Sequence, residues 1–466
     1  MPTPAIGSSL FDIITIGMYS DPLMVIREYI QNAADAIDMA VENGILGKED
    51  GRIDVTVDGA NRDIIITDNG IGISPEDARR IMSGIGLSTK KNGKSRGFRG
   101  IGRLAGIGYC QKIIFISRAP KSGVVIEVIW DGSEARRLLR EQGEALSTEQ
   151  LIRCIVDYKE RKPNKTETGH FFKVIMKQVE QFHEDHLVTP KQLARYISHN
   201  APLPFDTEIF SFAEKINLFL SDFHGYNTYR VFLNGTQLFK PYKDDIVYRG
   251  GVVDKIRDVS TASMYHQENQ EIGRYWNAVT GCVASLPPLE LMRGITLRQG
   301  NILVGDEYYL ADKYSERRFA TWHIGEIHVA DSLKTNARRD SFEHNKEFES
   351  LLEQASILCV ELSKQCRLSS KIRSTMLDEK REVDEKLLFF VNEEHRSARH
   401  KTVDTETPFL ENILDKRTLR KTSQENIIIE LAGAIARNYH SNRTCDSLLR
   451  AVFKQFIKKK YLNEDA

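Results

Sequence analysis

Residues 20–40 read SDPLMVIREYIQNAADAIDMA, and no other stretch restricts the fold of this chain as tightly. Ser20 or Asp21 can cap a helix whose first turn takes Pro22, so its start is well marked. At about 100° per residue, Ile26, Ile30, Ala33 and Ile37 share one side. Glu28, Asn32 and Asp35 fall on the opposite side. In an ordinary amphipathic helix that second side simply meets water. Here all three residues carry oxygen, no basic residue follows at i+4 to explain them as helix ion pairs, and oxygen is the ligand Mg²⁺ prefers.

Two further stretches follow. DIIITDNGIGIS, residues 63–74, is a buried-looking strand that runs into Asp68-Asn69-Gly70-Ile71-Gly72. Asn-Gly is a strong hairpin-turn signal; alternatively, the strand-end carboxylate accepts from an exocyclic amine and the glycines leave room for a planar ring. SRGFRGIGRLAG, residues 95–106, then packs four glycines among three arginines. It has neither the G-x-x-x-x-G-K-[ST] pattern nor the dinucleotide fingerprint, since Gly106 comes one residue late for the latter. GRLAGIGYC begins a helix whose free N–H groups could hold phosphate oxygens. Upstream, Gly84, Gly86, Ser88, Lys90 and Lys91 make a segment able to move as a lid.

The order of these pieces resembles the Bergerat ATP-binding fold of the GHKL superfamily, shared by gyrase B, Hsp90, MutL and histidine kinases. The closest match is the Hsp90/HtpG type, on LFDIITIGMYSDPLMVIREYIQNAADAID and RGFRGIGRLA. The resemblance implies ATP and Mg²⁺ as ligands and ATP hydrolysis as the reaction. Glu28 would orient and deprotonate the attacking water, Asn32 would hold Mg²⁺, and Asp68 would accept from the adenine amino group. Gly72 would lie beneath the base, with Asp35 also on the nucleotide side. Gly97, Gly100, Ile101 and Gly102 would turn backbone N–H groups to the phosphates, joined by Lys90 and Arg99. Arg99 and Arg103 resemble bacterial MORC-like members of the superfamily. Where Hsp90 proteins often carry Gly-Thr, this chain has TETGHFFKVIM, so Thr168 stands for the adenine-contacting threonine and His170 follows Gly169.

The resemblance continues at GEIHVADSLKTNARRDSFEHN, residues 325–345, similar to the Hsp90 segment whose arginine reaches the γ-phosphate. By that register the sensor is Arg339, after Asn336, with Arg338 and Lys334 as rivals. A solvated basic loop is the plain alternative. The implied fold class is α+β: a Bergerat sandwich over 1–185, a second α/β, ribosomal S5-like transducer over 186–345, and a helical region over 346–466. TYRVFLNGTQLF, GITLRQGNILVG and FATWHIGEIHVA are the clearest strands of the second segment, and polar residues 133–168 read as a helical insertion.

The balance of 65 basic and 65 acidic residues disfavours a nucleic-acid or membrane coat. Six cysteines show no C-x-x-C pair and no histidine at zinc spacing, so a reduced, cytoplasmic setting is expected. The opening residues lack a signal-peptide pattern and no run reaches the length of a membrane helix. These readings together predict a nucleotide-gated clamp, a transient homodimer acting on a protein client. A MORC-like clamp on nucleic acid, in a bacterial defence system, and a scaffold that does not hydrolyse ATP are the alternatives; Glu28 argues against the last.

Overall fold

The computed structural model describes residues 21–82, 102–142, 146–181, 185–266, 270–336 and 339–398. Helix α1, Met24–Glu42, starts where the Asp21 carboxylate accepts from the Leu23 N–H at 2.9 Å. Its Ile26, Ile30, Ala33 and Ile37 are all at most 2% exposed. They face a sheet built from β1 (Arg52–Asp58), β2 (Asp63–Asp68), β3 (Cys110–Arg118), β4 (Val125–Asp131), β5 (Val156–Arg161) and β6 (Phe171–Val179). Ile53, Val55, Val57, Ile64 and Ile66 alternate along β1 and β2 as the period of a half-covered strand requires, and fill the core beneath α1.

Two expectations change here. The polar stretch 133–168 supplies α3 (Gly132–Gln142) and α4 (Thr148–Ile155), after the short α2 (Pro75–Met82), but then turns into β5, an outer strand paired with β4. α4 opens on a capping box, with the Ser147 side chain accepting from Gln150 N–H and the Gln150 side chain answering. Second, the strands read at TYRVFLNGTQLF, β7 (Arg230–Leu233) and β8 (Thr236–Leu238), do not join the later sheet. They extend the first one, whose order is β5-β4-β3-β6-β2-β1-β7-β8. β7 lies parallel to β1, with Arg52 opposite Arg230 and Val55 opposite Leu233. Leu193 and Ile197 of α5 (Pro190–Asn200) complete the same core.

Beyond α6 (Ala213–Leu220) and the small ribbon β9 (Asp245–Val247) and β10 (Val253–Lys255), a second sheet has the order β11-β12-β15-β13-β14. Its strands are β11 (Asp258–His266), β12 (Gln270–Val279), β13 (Gly294–Gln299), β14 (Ile302–Val304) and β15 (Ile324–Val329). Within it, Glu326 is wholly buried and collects Lys240 Nζ at 2.6 Å, Tyr242 OH at 3.0 Å, His328 Nε2 at 3.0 Å and the Arg298 guanidinium. Burial opposes its charge, but Arg298 and Lys240 outweigh it and hold the carboxyl well below the usual range. Lys240 lies two residues past β8 of the first sheet, and Arg298 also donates to the His199 carbonyl of α5 at 2.7 Å. The long helix α7 runs over Lys346–Ala398, and the chain divides into compact units after Cys366.

Candidate active site

The side of α1 opposite its isoleucines is not a solvent face. Glu28 and Asp35 are 7% and 3% exposed, and Asn32 is half-buried. The cover comes from Gly102–Tyr109, expected as a helix and found as a 3₁₀ helix. A Cβ on Gly102 would stand 2.4 Å from Glu28 Oε2, so the glycine lets this backbone lie on the carboxylate without displacing it. Tyr29 fixes the same segment by accepting the Gly106 N–H at 3.1 Å.

Glu28 Oε1 is buried and makes no hydrogen bond. Two guanidinium groups lie just beyond bonding reach: Arg27 Nη2 at 3.9 Å and Arg339 Nε at 3.7 Å. Arg339 comes from the turn after β15. An isolated bridge between Thr335 and Phe342 closes that turn, Asn336 O accepts from Arg339 N–H at 3.2 Å, and Arg339 itself sits at φ +56°. The arginine expected from the distant segment is therefore brought to the glutamate within one chain. Lys334 is exposed, and Arg338 lies outside the described residues.

Asp68 ends β2 with its side chain 4% exposed, on the α1 side of the sheet. The next residues form no hairpin: Asp68 Oδ1 accepts from Gly70 N–H at 2.9 Å, and Ile71 N–H donates to the Ala36 carbonyl at 3.0 Å. Close packing of the chain on itself accounts for both glycines. A Cβ on Gly70 would meet Ala36 at 2.6 Å, and one on Gly72, at φ +65°, would meet the Arg118 carbonyl oxygen at 2.3 Å. His170 Nδ1 pairs with the Gly70 carbonyl at 2.7 Å, so it braces this turn. Thr168 is exposed and lines a cleft together with Asp68 and His170, whose other wall is Arg52, Asp54, Thr67 and Lys173 on the open face of the sheet. Near that cleft, two hydrogen bonds from Arg161 pull Glu167 down to about 2.

Lys90, Gly97, Arg99, Gly100 and Ile101, together with all of the lid expected over 84–102 except Gly102, lie outside the described residues. Two residues of α1 escaped the sequence reading. Arg27 lies on neither face of the helix, so its spacing carries no signal, and Gln31, 1% exposed, keeps both amide atoms out of any hydrogen bond. The donor set suits Mg²⁺ and a nucleotide: a hard amide oxygen on Asn32, an unbonded buried carboxylate oxygen on Glu28, and the buried Asp68 carboxylate at a strand end.

Residues 19–152 match the family model described as histidine kinase-, DNA gyrase B-, and HSP90-like ATPase. The chain is similar to the chaperone protein HtpG of Alkaliphilus metalliredigens, 27% identical over 37% of this chain and 30% of that protein. It is 25% identical to HtpG of Psychrobacter arcticus over 41% of this chain and 31% of the relative. Heat shock protein 90-6, mitochondrial, of Arabidopsis thaliana is 27% identical over 27% of this chain and 18% of its own length. The chain thus spans less than a third of these relatives. No helix among the described residues is long and apolar enough to cross a membrane.

Proposed function

Residues 19–152 are an ATPase domain of the histidine kinase, DNA gyrase B and HSP90-like family, and from that premise we propose that the chain binds ATP with Mg²⁺ and hydrolyses it to ADP and phosphate. The observation that carries this reading is the delivery of Arg339 to within 3.7 Å of Glu28. Hydrolysis needs a base for the attacking water and positive charge where the phosphoryl oxygens gather negative charge. Glu28 Oε1, buried and outside any hydrogen bond, takes the water proton. Arg339 compensates the phosphoryl oxygens from the second sheet's side. Asp68 accepts from the adenine amino group, and the side-chain oxygen of Asn32 would hold the metal. Mg²⁺ would supply charge compensation on the phosphates.

The experiment is a pair of variants read by two assays. Glu28→Ala should keep ATP affinity and lose most hydrolysis, because its carboxylate acts on water. Asp68→Asn should weaken ATP binding, because half of its acceptor pair becomes a donor facing another donor. Undiminished ATP affinity in Asp68→Asn would refute the adenine assignment.

The clamp is the finer part of the proposal: a homodimer that closes on a protein partner when ATP is bound. The relatives are named as chaperones, and this supports a protein client over nucleic acid. Light scattering with and without a non-hydrolysable ATP analogue reads the dimer. ATPase rates measured alone, with an unfolded protein and with duplex DNA read the partner; stimulation by DNA alone would overturn the choice.

A further inference from the structure

We propose that Cys282, His323 and Cys366 form a buried binding site for one Zn²⁺ ion, separate from the ATPase centre. One ligand atom from each lies within 4.8 Å of the others, and Cys366 Sγ is 3.1 Å from His323 Nε2. All three are at most 4% exposed. In a tetrahedral zinc site, with Zn–S bonds of about 2.3 Å, two sulfur ligands stand about 3.8 Å apart. Closing the triad on an ion therefore takes movements of about 1 Å, within the reach of small side-chain rotations.

The surroundings hold the donors in place. The Tyr314 ring stacks on His323 at 5.9 Å and 15°. Cys282 sits at φ +45°, a strained conformation for a residue with a side chain, while its N–H donates to Thr280 Oγ1 at 3.2 Å. Leu310, Phe319, Leu358 and Leu362 make the surrounding cluster apolar. That environment chooses the ion. Zn²⁺ bound by two thiolates and a neutral imidazole carries no net charge, and the two thiol protons leave to solvent. Cu⁺ on the same set would leave an uncompensated negative charge in the core, which is costly, and Mg²⁺ or Ca²⁺ prefer oxygen. The fourth position falls to a water molecule or a neighbouring oxygen.

The ligands come from three segments: the loop after β12, the residue before β15, and α7. Bound zinc would staple α7, at Cys366, to the second sheet. The test uses the full chain purified with a thiol reductant and no chelator. Elemental analysis should find about one zinc per chain in the wild type and in Cys154→Ser, whose cysteine is exposed. The double variant Cys282→Ser/Cys366→Ser should lose it. Because that variant could fold poorly, the metal-stripped wild type is also titrated with Co²⁺ while circular dichroism follows its fold. A thiolate-to-cobalt charge-transfer band with intense tetrahedral absorption supports the site. A folded wild type with neither zinc nor a cobalt–thiolate band overturns it, as does a mass shortfall of two hydrogens mapping to a Cys282–Cys366 disulfide.

Discussion

Replacing Arg339 by alanine separates charge delivery from nucleotide binding. The residue sits at φ +56°, and alanine keeps that backbone strain, so the guanidinium is removed without relaxing the turn; glycine would confound the two. Unit charges 3.7 Å apart, with side chains 13% and 9% exposed, interact by about 4 kcal/mol at an effective dielectric of about 20. That figure sets the scale of what Arg339 can transfer from Glu28 to the phosphoryl oxygens as Glu28 gains a proton. Losing one preorganised donor to a developing oxyanion costs about 10²–10³ in turnover. Single-turnover phosphate release at saturating ATP reads the chemistry, and a fluorescent nucleotide reads affinity, which should change far less. Lys334→Ala and Arg338→Ala are the controls. If either abolishes turnover while Arg339→Ala stays near wild type, the assignment fails; a lysine result would point to γ-phosphate sensing in the manner of gyrase and MutL.

Gly102→Ala should push Glu28 off its position, since the new Cβ would stand 2.4 Å from Oε2; a misplacement of about 1 Å lowers turnover about 10²-fold, with ATP affinity retained. Glu326→Gln leaves Lys240 and Arg298 buried without their carboxylate, so the urea midpoint should fall by the equivalent of about 3–5 kcal/mol. Glu167, held down to about 2 by Arg161, contributes stability that is complete above its ordinary value of 4.5 and is lost as pH falls through about 2. Glu167→Gln should therefore flatten the melting temperature against pH across that interval, and an unchanged slope would deny Glu167 the role.

What could be read from the sequence was local. The apolar side of α1, the runs that became β2, β13 and β15, and the acid-x-x-x-Asn pair all rest on spacing within one element, and spacing survives folding. The 3₁₀ form of Gly102–Tyr109 was hidden because its glycines answer to Glu28 and Tyr29, over seventy residues away in sequence. Pairing of β1 with β7 was hidden for the same reason, since register between distant strands leaves no periodic trace. Asn69 shows the limit of a motif read by itself. It looked like half of a hairpin turn, yet its side chain accepts from Arg52 N–H at 2.8 Å and donates to the Asp50 carbonyl at 2.9 Å, clamping the entry to β1. The cysteines were set aside for lack of close spacing, which only excludes ligands supplied by a single loop.

The parallel pairing of β7 with β1 decides where this protein can be cut. A fragment ending at residue 185 would leave Arg52–Val55 as an open strand edge, its backbone groups unpaired and ready to recruit another chain. It would also strip Leu193, Ile197 and Val231 from the core under α1, uncovering the apolar flank of the helix that carries Glu28 and Asn32. The nucleotide-binding part is therefore a mosaic in sequence, finished only when the chain returns at Leu238, and during synthesis α1 must wait for strands made almost two hundred residues after it.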